Sequence, residues 1–151
     1  MQNIDWNQKV KEALDRTEFM AISTVGDESS WTNPVQYGYS EKLDLYFVSM
    51  MDSKHVRNIL KDPRISAAIF KTERFAGPEG DVLGLQLKGT AKHLTDQSEI
   101  EEAVRCYGGK TDGDWQFFKI MVDELWCFDS RVFGEKREQV DLDNLQIHLG
   151  N

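Results

Sequence analysis

The chain has 151 residues, 40% of them hydrophobic and 29% charged, with a formal net charge of −8. That length and mixture suit one domain with its own core. The acidic balance argues against nucleic acid, whose phosphates demand a basic face, and disfavours an anionic membrane surface. No apolar run approaches the length of a membrane-crossing helix. Met1 to Asn7 lacks a charged-then-apolar leader pattern, and Cys106 and Cys127 stand 21 residues apart outside any CxxC arrangement. Both features fit a cytoplasmic protein with reduced thiols.

In chain order, Trp6, Val10, Ala13 and Leu14 fall on one face of an amphipathic helix that packs against a sheet. Phe19 to Val25 (FMAISTV) reads as a strand, Gly26 to Ser30 as a turn, and Trp31 to Tyr39 as the partner strand of a hairpin. Pro34 cannot donate to a ladder, which places this strand at an edge, where its backbone groups are open to a planar heterocycle. Ser40 to Lys42 turns into Leu43 to Met50 (LDLYFVSM), a mostly buried strand. Asp52-Ser53 supplies an N-cap for a short helix with Val56, Ile59 and Leu60 on its apolar face. Asp62-Pro63 stops that helix, because the residue before proline leaves the helical region. Arg64 to Phe70 (RISAAIF) is the next buried strand, and Lys71 to Asp81 a loop.

Leu83, Leu85, Leu87, Gly89 and Ala91 then alternate with polar partners, including Gln86 and Lys88, over a strand with one core face. His93 sits near its end on the apolar parity and reads as a structural histidine. Thr95 is the expected cap of a helix reaching Tyr107, striped by Ile100, Ala103, Val104 and Tyr107 and closed by Gly108-Gly109. Phe117 to Phe128 reads as a long final strand, with a helix over Trp115 to Met121 as the alternative. Beyond Gly134 the chain is highly charged until Val140. Leu142, Leu145 and Leu149 there fit a short helix, one that could face a partner subunit. Strands outnumber helices, so the fold class is antiparallel α+β.

The junction at Ser49, Ser53, Lys54 and His55 gathers two hydroxyls, a cation and a titratable ring at a helix N-terminus, where unpaired amides favour an anion. A capped helix with an exposed lysine fits these residues as well as a phosphate site does. Other chemistries lack their signatures: no GxGxxG, P-loop, HExxH or GxSxG occurs. The three histidines show no zinc spacing, and Asp112-Gly113-Asp114 is too short for a calcium loop, so no metal is expected.

The order strand, serine, serine with basic residues, helix, Asp-Pro-Arg, strand resembles the pyridoxamine 5′-phosphate oxidase-like FMN-binding split barrels. FMAISTV…WTNPVQYGY is similar to their opening strands and LQLKGTAKHL to a later one; the likeness is best over residues 15 to 95. The resemblance implies one α+β domain, a split β-barrel of about six antiparallel strands with flanking short helices, and a homodimer with two flavin sites at the interface. It implies that Asn33, Pro34, Val35 and Gln36 lie along the FMN ring with Val48 beside it. Ser49, Ser53, Lys54 and His55 would then hold the phosphate. Trp126, with Arg131 a weaker candidate, would reach the flavin from the second subunit, although a core role suits Trp126 equally well. The family usually shows Arg-Lys or x-Lys after the second serine, where this chain has Lys54-His55. Its true oxidases end in an Arg-Leu-His-type motif and carry an arginine where Asn33 stands; here the end reads DSRVFGEKRE. The implied function is therefore a flavoprotein oxidoreductase of unnamed substrate rather than a pyridoxamine phosphate oxidase. The alternatives are a non-catalytic module holding flavin, deazaflavin or haem on the same barrel, and a structural protein with an empty groove.

Overall fold

The computed structural model describes residues 3–73 and 81–150. Helix α1 (Trp6–Asp15) leads into strands β1 (Phe19–Val25), β2 (Ser30–Gln36), β3 (Gly38–Tyr39) and β4 (Leu45–Met50). Helix α2 (Lys54–Lys61), strands β5 (Arg64–Glu73) and β6 (Asp81–His93), helix α3 (Gln97–Tyr107) and the long strand β7 (Trp115–Asp129) follow. A single turn α4 (Ser130–Phe133), strand β8 (Arg137–Gln139) and a 3-10 turn at Leu142–Asn144 complete the order. Among the described residues the eight strands exceed the six expected. Most of the loop expected over Lys71 to Asp81 lies outside the described residues, and its two ends belong to β5 and β6.

The strands form one antiparallel sheet in the order β2-β1-β5-β6-β7-β4-β3, with β8 on the far part of β7. Strands β2 and β3 are the two ends of that path, yet only Tyr37 separates them in sequence. A sheet whose opposite edges are adjacent in the chain must curl until those edges meet, and this closes a barrel split between β2 and β3. Tyr37 fixes the crossing: its amide donates to Glu18 O at 3.1 Å, and its hydroxyl lies 2.5 Å from Leu14 O and 2.8 Å from Thr17 O. The expected single strand over Trp31 to Tyr39 is thus two strands, each paired to a different neighbour.

Inward positions alternate as period two requires. Met20 and Ile22, Leu45 and Phe47, Ile65 and Ile69, Leu83 and Leu85, and Phe118 and Ile120 are all buried in one core, with Val10, Ala13 and Leu14 of α1 among them. Between Lys88 and Gly89 the β6–β7 register shifts, a bulge that lets the long strands bend with the barrel. A second, smaller cluster (Tyr46, Leu94, Ala103, Phe117) seats α3 on the outside of β4 and β7.

Three local expectations are corrected. The cap of α3 is Asp96, whose carboxylate accepts from Glu99 N, because Thr95 lies one residue too early. Leu60 is 57% exposed: α2 is short, and Val56 and Ile59 alone meet the core. The tail closes its own barrel, with Val140, Leu145 and Ile147 buried in the main core and Leu142 and Leu149 packed against it.

Candidate functional site

Helix α2 differs from its fellows at the N-terminus. Asp5, Asp96 and Asp129 cap α1, α3 and α4 with their carboxylates, and Asp141 does the same for the 3-10 turn. At α2 the cap residue is Ser53, and its side chain makes no capping bond. Its hydroxyl instead donates back to Met50 O at 2.8 Å. No acidic residue stands in the first turn. The amides at that end therefore keep their positive partial charge, which suits an incoming anion.

Lys54 begins the helix. Its Nζ sits 4.1 Å from the centroid of the Trp31 ring, a cation–π contact that ties α2 to the edge strand β2. His55, next along, is half-buried, and its Nε2 is 2.6 Å from Ser49 Oγ. Burial pushes the His55 pKa below its ordinary value, so the ring is neutral at pH 7 and Nδ1 carries a proton when Ser49 donates to Nε2. Ser49 itself is buried. In this geometry its hydroxyl acts through His55. The imidazole rests near Phe47, which stacks on Phe118 with centroids 5.2 Å apart. Phe118 in turn neighbours His93, whose Nε2 lies 3.3 Å from Gln116 Oε1. Gln116 is the register partner of Ser49. A packed row of rings thus holds the polar pair from below.

The facing strand supplies Asn33. Alternation puts Trp31, Asn33 and Val35 on the inner side of β2, opposite Thr24, Ile22 and Met20 of β1. Val35 is buried there, so its side chain is core. Asn33 Oδ1 is buried without a hydrogen-bond partner, and Nδ2 makes one long contact of 3.4 Å to Pro34 O. A buried amide left half-satisfied costs about 1–3 kcal/mol unless something bonds it. Rotation about the amide axis exchanges acceptor for donor, so this group serves an N–H or an anionic oxygen equally. Pro34 and Gln36 point outward, with Gln36 Oε1 3.4 Å from the Tyr107 hydroxyl; β2 is an edge strand, as the proline required.

Val48 and Trp126 stand apart from this cluster within the chain. Val48 points away from Ser49 and packs with the α3 cluster. Trp126 lies ten residues along β7 from Gln116, roughly 33 Å of strand, half-buried on the outer face beside Gln86 and Gln139. It is not part of the core. Arg131 sits exposed in α4, its amide donating to Asp129 Oδ1. The sequence reading missed Trp31, whose inner parity beside a turn was the available signal. It also missed Arg57 and Asn58, which share the Lys54 face of α2 by the three- and four-residue spacing. Among the described residues no cluster of three or more potential metal ligands occurs, and no helix is long and apolar enough to cross a membrane.

The fold has clear relatives. A haem-binding protein from Mycobacterium smegmatis superposes with a TM-score of 0.75 at 16% identity over 95% of this chain, which spans 60% of that protein's length. A protein from Clostridium acetobutylicum related to general stress protein 26 gives 0.69 at 15% identity, covering 93% of this chain and 98% of the other. An FAD-binding protein from M. smegmatis gives 0.67 at 12% identity, covering 83% and 97%. At such identities these structures establish the fold alone. Among curated proteins none matches the sequence. The pyridoxamine 5′-phosphate oxidase family model, however, matches residues 6–128, most of the chain. With the split barrel described above, that match shows that the chain belongs to the pyridoxamine 5′-phosphate oxidase family.

Proposed function

We propose that the protein is an FMN-binding oxidoreductase that holds the cofactor's phosphate at the N-terminus of α2. The observation carrying this reading is the helix start itself: Ser53 turned away, no acid in the first turn, and Lys54 and His55 beside the open amides. The buried, unpartnered amide oxygen of Asn33 on the facing strand supports it, since a bound polar group would remove its penalty. Lys54 contributes a fixed charge and His55 a neutral donor through Nδ1. Ser49 orients the imidazole. The flavin, when bound, supplies the hydride chemistry, which is why the chain needs no acid–base dyad of its own.

A homodimer belongs to the same proposal. Phe70, Gly84 and Phe128 stand side by side across β5, β6 and β7, with Ala68, Gln86 and Trp126 in the next outward row. Phe70 is 52% and Phe19 53% exposed on that outer face, an apolar surface of the kind a second copy covers. Such packing would bring the partner's Trp126 toward a flavin that the chain's own Trp126 cannot reach.

Purified protein should carry a yellow chromophore that extracts as FMN and bleaches on adding a nicotinamide reductant. A Soret band in place of flavin bands would assign the barrel to haem. Colourless protein that binds no added FMN would leave it an empty scaffold.

A further inference from the structure

Lys9, Lys11, Lys61, Lys92 and Lys119 each pair with a carboxylate. Lys54 does not. Among the described residues it makes no ion pair or hydrogen bond, and the first turn of α2 offers it no acid. What its ammonium meets is the Trp31 ring, 4.1 Å from the centroid. Trp31 is tied to α2 at a second point. Its carbonyl accepts from Thr24 Oγ1 at 3.4 Å, and the same oxygen accepts from Asn58 Nδ2 at 3.0 Å. Thr24 is buried, and Asn58 lies four residues on from Lys54, on the same face of the helix. The helix thus holds one residue of the hairpin twice, by its ring at the first turn and by its carbonyl one turn later. Two residues along the same face of β2 comes Asn33 with its unpartnered Oδ1.

We infer that Trp31 is a positioning residue for the anion site: its ring fixes the Lys54 ammonium at the α2 start without neutralising it. This role rests on the phosphate position proposed above and accounts for a cation that stands ready there before the ligand arrives. A carboxylate in the same place would cancel the charge. An aromatic face attracts the ammonium through its quadrupole and leaves it cationic, with N–H donors still free to turn away from the ring. A long lysine side chain loses much rotamer freedom on meeting a phosphate, and one already fixed loses less.

The test compares FMN with riboflavin, by flavin fluorescence quenching, on variants of the full chain. Trp31 is 40% exposed on an edge strand, so Trp31→Leu and Trp31→Thr both keep a foldable strand, checked by circular dichroism. Each should lower the FMN-over-riboflavin affinity ratio about threefold to fivefold, the worth of one cation–π contact. Trp31→Phe keeps an aromatic face and should retain at least about half of the ratio. In a Lys54→Ala chain, Trp31→Leu should change the ratio by less than about 1.5-fold, because the contact is already gone. A ratio unchanged by Trp31→Leu and Trp31→Thr overturns the role of Trp31 and leaves the phosphate site standing. So does a drop as large in Trp31→Phe, or one that persists without Lys54. An intact protein that binds FMN no better than riboflavin overturns the phosphate site and the role of Trp31 together.

Discussion

In the proposed site His55 costs stability at acid pH and Asn33 at any pH. Burial holds the His55 pKa below its ordinary 6.5, so as pH falls the unfolded chain takes up this proton before the folded one. The contribution is intact above about pH 6.5 and is lost as pH drops from there through the lowered folded value. His55→Gln should flatten the pH dependence of urea unfolding in that window. A phosphate beside the ring would raise its pKa, so FMN should bind more tightly as the ring protonates, and added FMN should protect the fold most on the acid side of that window. Asn33→Leu removes a buried amide with an unpartnered oxygen. It should raise the unfolding free energy of the apo protein by about 1 kcal/mol and weaken FMN binding, both read by urea unfolding and titration. Destabilisation with unchanged FMN affinity would mean that the amide serves the fold alone.

The elements were legible where packing and periodicity agree. The α1 stripe, the β1 alternation and the Leu83–Leu87 run follow from the 3.6 and 2.0 periods, and each lies in the core as expected. The boundaries were not, for physical reasons. Leu43 takes a left-handed conformation (φ 67°) while fully buried, so β4 starts two residues later than its hydrophobic run. No local rule announces that a buried leucine will accept that backbone cost. Strand β8 is charged and exposed, formed by pairing with β7, and so carries no alternation to read. Gly38 is the sharper case. A Cβ there would come within 2.6 Å of the Cys106 and Tyr107 backbone, where α3 lies against β3. Gly38→Ala should cost about 2 kcal/mol in chemical unfolding, since a helix backbone cannot step aside as a side chain can. Wild-type stability in that variant would show that α3 is loosely seated.

At the scale of the whole molecule the barrel is shut twice, by the Tyr37 crossing and by the tail. Leu145 and Ile147 are buried in the core, and Ile147 N donates to Glu41 O at 2.8 Å. Leu145→Ala should therefore cost about 2–4 kcal/mol, a value a peripheral tail would not reach. The apolar outer face predicts that Phe70→Glu yields monomer by sedimentation while the far-ultraviolet spectrum stays unchanged; a monomeric parent protein would remove that interface. What the sequence could not show was how Trp126 and Lys54 sit relative to each other, because they lie on a strand and a helix whose placement depends on the closed sheet. Riboflavin, which is FMN without the phosphate, isolates the anion proposed at the α2 start. Titrated by flavin fluorescence quenching, the protein should bind FMN at least tenfold more tightly than riboflavin, about the worth of one or two charge-assisted bonds. Lys54→Ala should erase most of that difference. Equal affinity for the two flavins, or a preference that survives the lysine's removal untouched, would contradict a phosphate at this helix.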